Sequence, residues 1–371
     1  MSLSHPTAAS RNTATGKAAA PSANSLSLAH DRAVGRWLLL VCFMILGQVV
    51  LGGITRLTGS GLSIMEWQPI IGGIPPLNDS QWNGVFDLYK QTMQFKHINS
   101  AMDLAGFKGI FWWEYLHRLW ARLIGVVFLL PFLWFLMKGW IRKSWRGRLI
   151  AMFVLGGLQG LLGWVMVASG FEDRTSVSQY RLVAHLLLAL VIYAYIFWSA
   201  LDLLQPAALG RLSAAARQSL SRHGWILLAL IGLEITIGGF VAGLHGGLIY
   251  NNFPMMGEHF IADDLFFQSP WWINFFENPG TAQFMHRLTT LIVTLVLIAF
   301  VIRLCRGGMP DRLQFRAYYL IFALLAQVSL GIATLMLVVP VPLAVLHQTG
   351  AIILLTLALY ALHGLKRVEA I

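Results

Sequence analysis

Charge is scarce in this chain. Asp, Glu, Lys and Arg make up 12% of its 371 residues, against roughly 25% in ordinary soluble domains, and 57% of the residues are hydrophobic. That deficit excludes a water-soluble globule. Cysteine is almost missing: Cys42 and Cys305 fall on different elements, form no CxxC pair and give no structural disulfide. Acids are outnumbered by bases, 16 to 27, for a formal net charge of +11. Nucleic acid is the usual partner for such a surplus, but here the bases sit in short segments between apolar runs, which argues against it. No apolar core precedes Trp37, so a cleaved secretory signal is excluded too. Residues 1–35, rich in Ser, Ala and Thr, are expected to form a disordered N-terminal tail. A mitochondrial transit peptide has a similar composition; a plain bacterial tail is the preferred reading.

Long apolar runs are what the chain has in plenty. Eight of them, near 37–55, 112–137, 149–168, 181–203, 224–243, 282–304, 317–339 and 343–364, match the roughly 20 residues a helix needs to cross a bilayer. In lipid, backbone groups must be satisfied within the segment, so runs this long are helices. The expected fold class is an all-α polytopic membrane protein. Bases collect before the first span, in 138–148, in the linker 205–223, in 303–316 and at Lys366 and Arg367, while most acids lie in the opposite loops. The positive-inside rule then puts both termini and the linker in the cytoplasm, against anionic lipid.

The second half repeats the first. Gly52-Gly53 near the end of the first span answers to Gly238-Gly239 in the fifth, and Glu114-Tyr115-Leu116-His117-Arg118 lies over Gln283-Phe284-Met285-His286-Arg287. Gln159 and Gly163 answer to Gln327 and Gly331, and His185 to His347. Residues 36–204 and 224–371 are therefore expected to be two tandem four-helix bundles of like orientation, related by a pseudo-two-fold axis along the membrane normal. Long, aromatic outer loops follow the first and fifth spans. Trp67-Gln68-Pro69 and Asn251-Asn252-Phe253-Pro254 look like matching pieces of lids.

Of eleven histidines, four stand near the starts of even-numbered spans, at one depth near the outer face: His117, His185, His286 and His347. Two imidazoles facing each other inside a bundle suit a haem iron held from both sides. Zinc fits less well, because no cysteine joins the pairs. The other histidines (His5, His30, His97, His223, His245, His259 and His363) are expected to be solvated. Arg118, Arg181 and Arg287 stand at the same level as candidate partners of haem propionates, with lipid headgroups or Glu114 as the other candidates. Glu114 and Arg118, four apart on one helix, also read simply as an ion pair. Glu114 has no acidic counterpart, since Gln283 occupies its place. A carboxyl beside a ligand moves protons or stabilises positive charge, and an amide does neither, so the halves are expected to be specialised.

From these residues alone, three readings stand: an oxidoreductase, a di-haem b electron carrier and a transporter. Past residue 35 the chain resembles the haem A synthase family. The resemblance rests on the run Gly52 to Ser63 (GGITRLTGSGLS), the Glu114–Arg118 motif, His185, Phe284-Met285-His286-Arg287 and Leu346-His347-Gln348. It implies oxidation of the C8 methyl of haem O to a formyl group by two successive hydroxylations. By the same resemblance His117 and His185 hold the substrate haem, Glu114 is the catalytic carboxylate, and His286 and His347 hold a haem b cofactor. A haem O synthase, expected from the pathway, and an electron donor are candidate partners, with an oligomer admitted; the tail, read as bacterial, favours a bacterial inner membrane over a mitochondrial one. Some members carry a cysteine pair in an outer loop; this sequence has none there.

Overall fold

The computed structural model describes residues 23–66, 71–171, 174–205, 210–306 and 309–370. Eight helices among them are long and apolar enough to cross a membrane, and we number these α1 to α8: Ala23–Leu57, Leu104–Met137, Lys143–Ala168, Gln179–Leu204, Ala214–Gly243, Pro279–Cys305, Asp311–Met336 and Val341–Lys366. Between 6% and 33% of the most apolar window of each is buried within the protein, so most of that surface is left for lipid. The protein is an all-α polytopic membrane protein. The described strand structure is one two-residue parallel pairing, Arg211–Leu212 with Glu369–Ala370.

Four helices close a ring twice over. Helix α1 packs on α2 and α4, and α3 bridges α2 and α4; likewise α5 packs on α6 and α8, and α7 bridges α6 and α8. The rings meet through α1, α4, α5 and α8. A continuous buried cluster, including Leu38, Ile196, Leu227, Leu297 and Leu359, runs through both. Polar contacts cross this seam: Tyr193 Oη and Thr356 Oγ1 are 2.7 Å apart, and Gln348 Nε2 donates to Val49 O at 2.9 Å. Gly53 makes the second contact feasible, since a Cβ there would lie 2.7 Å from Gln348 Oε1.

Several helices start earlier than the apolar runs suggest. Helix α1 begins at Ala23, inside the segment expected to be a disordered tail. Its first turns are held by contacts that hydropathy does not register: Asp31 pairs with Arg142 at 3.0 Å, and the His30 ring stacks on Trp140 at 4.6 Å. Residues 1–22 lie outside the described residues. Helix α5 begins at Ala214, with Ser213 Oγ accepting from Ala216 N, so the second half of the expected 205–223 linker is helical. Helix α2 begins at Leu104, capped by Asp103 through Gly106 N at 2.8 Å. Its extra turns extend into a buried aromatic cluster of Trp82, Phe86, Tyr89, Phe107, Phe111 and Tyr115, built with the helix Asp79–Tyr89 of the loop between α1 and α2. Glu114 and His117 thus lie roughly three turns into α2, not at its start.

The expectation of solvated histidines holds only in part. His363 is fully buried at the end of α8, with Nε2 3.0 Å from Asp202 Oδ1 on α4 and its ring edge-on to Trp198. His223 lies 3.1 Å from both Val296 O and an Arg303 Nη, and His245 Nε2 is 3.0 Å from Arg56 Nη2. Position at a helix end said nothing about which neighbour covers that end. His97 and His259 are exposed, and His5 lies outside the described residues.

Candidate functional sites

Each of the four histidines leans from an even-numbered helix onto a glycine of an odd-numbered one. A Cβ at Gly52 would lie 3.0 Å from His117 Cε1, at Gly163 2.9 Å from His185 Cε1, at Gly238 3.2 Å from His286 Cε1, and at Gly331 2.8 Å from His347 Cε1. Any side chain there would push the imidazole aside. Four residues before each glycine, one turn back on the same face, stands a polar residue: Gln48, Gln159, Glu234 and Gln327. Gln48 Nε2 lies 3.2 Å from His117 Nδ1 and donates to His117 O at 3.2 Å. Gln159 Nε2 is 3.2 Å from His185 Nδ1 and donates to its carbonyl at 3.0 Å, and Gln327 repeats both contacts on His347 at 3.2 and 3.0 Å. The fourth member differs: Glu234 Oε1 approaches His286 Nδ1 to 2.9 Å. Gln159 and Gln327 were visible as a repeat, but Gln48 and Glu234 were not recognised as partners of the histidines. The signal was present in the sequence as a polar residue, three others, then glycine, four times over.

The spacing of the second pair would admit one metal ion between two imidazoles. The His286 and His347 rings stand 6.3 Å apart, centroid to centroid, at 88°. With metal–imidazole bonds of about 2 Å and a centroid roughly 1 Å behind each ligating nitrogen, two imidazoles on one metal stand about 6 Å apart. Both histidines come from one bundle, as do His117 and His185. An imidazole bound through Nε2 keeps an Nδ1–H that needs an acceptor. Beside these rings Gln48 Oε1, Gln159 Oε1, Gln327 Oε1 and Glu234 Oε2 are buried without a hydrogen-bond partner. Such orphaned acceptors cost about 1–3 kcal/mol each. Turning each glutamine amide over would set Oε1 where Nε2 now meets the ring, an arrangement that suits imidazoles whose second nitrogen carries the proton. Among the described residues no three or more His, Cys, Asp or Glu converge as a ligand set for a metal ion; the histidines remain in pairs.

In each half the loop that follows α1 or α5 is tied to the next even-numbered helix. Helix α1 ends at Leu57 and turns at Thr58-Gly59, where Gly59 takes the left-handed conformation (φ 66°) that a helix-terminating turn favours. The chain doubles back so that Ser63 and Ile64 reach α2. Glu114, 2% exposed, accepts on Oε2 from Ser63 Oγ at 2.7 Å and Ile64 N at 2.9 Å. Its Oε1 accepts from Arg118 Nε at 3.0 Å and Nη2 at 2.5 Å, and Arg118 also donates to Ile64 O at 2.7 Å and Glu66 O at 3.2 Å. The ion pair expected as the plainer reading therefore exists, and it also clamps the loop. Trp67-Gln68-Pro69, expected as part of that lid, lies outside the described residues.

The second half builds the same clamp with the opposite polarity. Gln283 Nε2 donates to Gly246 O at 3.1 Å and Ile249 O at 2.7 Å. Arg287 donates to Tyr250 O, Asn252 O and Met255 O at 2.9, 3.1 and 2.8 Å. Asn251 and Asn252 are thus inside the clamp, with Asn251 Nδ2 donating to Leu335 O of α7 at 2.9 Å. Tyr250 closes the loop further by donating to Asp264 at 2.6 Å, a bond that with desolvation pushes its phenol up to about 12. Of the three arginines singled out for propionates, Arg118 and Arg287 grip loop carbonyls, although Arg287 Nε is buried without a partner. Arg181 Nη1 donates to Val165 O at 2.9 Å. Arg56, not singled out from the sequence, joins the bundles at their outer end by donating to Ala242 O at 2.9 Å.

Comparison with known proteins adds a family. A family model described as cytochrome oxidase assembly protein matches residues 35–359. A protein of Nitrosospira multiformis named heme A synthase is 45% identical over 347 residues, covering 94% of this chain and 97% of its own. One of the same name from Rhodospirillum centenum is 46% identical over 343 residues, covering 92% and 91%. Another, from Paramagnetospirillum magneticum, is 48% identical over 351 residues, covering 93% and 97%.

Proposed function

Because the chain belongs to the cytochrome oxidase assembly protein family, we propose that it is a haem A synthase, a membrane oxidoreductase that converts the C8 methyl of haem O to a formyl group. The methyl is hydroxylated twice, each time with an oxygen atom and an oxidant supplied from outside the chain (molecular oxygen with an electron donor, or water with an electron acceptor). The resulting hydrate loses water to leave the aldehyde. The observation that carries this reading is the set of four equivalent cradles, in which His117, His185, His286 and His347 each rest on a glycine beside a buried acceptor or carboxylate. His117 and His185 hold the substrate haem, and His286 and His347 hold haem b. Bound haem supplies redox-active iron.

The chain's own residues do the rest. Each glycine admits its imidazole to van der Waals contact, each glutamine holds its histidine through the ring nitrogens and the backbone carbonyl, and Glu234 approaches His286 Nδ1. The clamped outer loops cover the sites from above and limit water. Glu114, on the same face of α2 as His117, accepts a proton from the reacting methyl or stabilises positive charge developing at its carbon. Arg118, Arg181 and Arg287 are the arginines that would pair with haem propionates, Arg118 and Arg287 while also holding their loops. A haem O synthase supplies the substrate, and the electron donor or acceptor is a separate partner. Both termini face the cytoplasm of a bacterial inner membrane, with the haem sites towards the outer face.

The test is to extract and chromatograph the haems bound to wild type and Glu114→Gln. The variant retains haem b and yields no haem A. Normal haem A output from it overturns the role of Glu114, and protein without any bound haem overturns the reading as a whole.

A further inference from the structure

We propose that Glu234 is a positioning residue that lowers the reduction potential of the C-terminal haem site by holding the Nδ1 side of His286. This rests on the assignment of His286 and His347 as a haem-ligating pair. Three of the four cradles carry glutamine one turn before the glycine, and only α5 carries an acid there. The halves have in effect exchanged carboxyls: the first has Gln48 and Glu114 where the second has Glu234 and Gln283. Each bundle keeps one acid, and the two acids face different things. Glu114 turns to the loop, and Arg118 lies 2.5 Å from it. Glu234 turns to a histidine.

The surroundings of Glu234 leave its charge to that ring. Oε1 lies 2.9 Å from His286 Nδ1, and among the described residues no lysine or arginine forms an ion pair with Glu234. Thr290, one turn beyond His286 on the same face of α6, donates to Oε1 at 2.5 Å and steers the carboxylate onto the imidazole. The 2.9 Å contact lies off the direction of an Nδ1–H bond, so His286 Nδ1 and Glu234 Oε2 both remain buried without a hydrogen bond.

An imidazole that ligates through Nε2 and donates Nδ1–H to a neutral amide stays an ordinary ligand. Donation to a carboxylate is a charge-assisted bond that shifts electron density onto the ring and makes it a stronger donor to iron. A negative charge close by in a low-dielectric interior also favours the more positive, oxidised iron. Both effects lower the potential of the site held by His286, and neither operates in the first half, where Gln48 takes the corresponding place.

The test is a spectroelectrochemical titration of the purified full-length protein with its bound haem. Glu234→Gln installs the residue that α1 already uses at this position, so a folded, haem-loaded variant is expected. Its reduction equilibrium should move at least tenfold towards the reduced form, which is 59 mV for one electron, with haem content unchanged. Thr290→Val keeps the charge and should leave the midpoint at or below that of wild type. A merely structural role for Glu234 would lower haem content or stability and leave the midpoint where it was. Full haem content with a shift under twofold overturns the proposal. If Glu234→Gln does not retain haem, Glu234→Asp decides: with the charge drawn back from the ring its midpoint rises, and an unmoved midpoint overturns the role. Absence of any haem band in wild type overturns the histidine assignment itself, which separates that failure from this one.

Discussion

At the scale of single residues, geometry divides Glu114 from its neighbours. Ser63 donates one of the four hydrogen bonds that meet the carboxylate, so Ser63→Ala loosens the loop while leaving the acid in place. Haem A output should fall less than about tenfold in that variant, whereas a lost proton acceptor costs roughly 10²–10⁴-fold; pigment extraction compares the two directly. The cradle glycines permit a second check. In Gly331→Ala the new methyl would lie 2.8 Å from His347 Cε1, and the ring has to move. The expected result is loss of most of the haem absorbance contributed by the His286–His347 pair, with the protein still inserted in the membrane. The histidines were legible in the sequence because they recur at matching places in two apolar repeats. Glu234 was passed over because its neighbours Ile235, Thr236 and Ile237 mark it as part of a span, and nothing in the spacing alone tells that His286 faces it from another helix.

At the scale of elements, the eight spans could be read from hydropathy, but their ends could not. Lys108 and two glycines interrupt the apolar pattern just before residue 112, yet α2 runs on from Leu104 because its outer turns pack on Trp82 and Phe86 of the loop. The helix start is fixed by tertiary contact and by a cap, neither of which enters a hydropathy average. Asp103→Ala removes that cap and should destabilise the outer end of α2 by about 1 kcal/mol. Faster hydrogen exchange confined to the amides of the first turn would register it, and unchanged exchange would mean that the aromatic cluster alone sets the start. The N-terminal end of α1 has the same explanation, since Arg142 and Trp140 lie on a different connection and meet Asp31 and His30 only after folding.

At the scale of the whole molecule, two rings of four helices share one core, and neither cysteine takes part in either clamp. Cys42 is buried in α1 and Cys305 ends α6, both as free thiols. The double variant Cys42→Ala, Cys305→Ala should therefore make haem A at close to the wild-type level, and a large drop in its haem A content would assign a thiol a role that the geometry does not. The opposed polarity of the two clamps has an evolutionary consequence. Glu114 receives N–H and O–H donors from its loop, and Gln283 gives N–H to the carbonyls of its own. Copying the second loop over the first would set loop carbonyls against the acceptor-only carboxylate of Glu114, whereas Gln283 can turn its amide over to meet the donors of the first loop. Gene conversion from the second repeat into the first is thus penalised once the loop clamps diverge, which works against homogenising a duplicated gene in that direction.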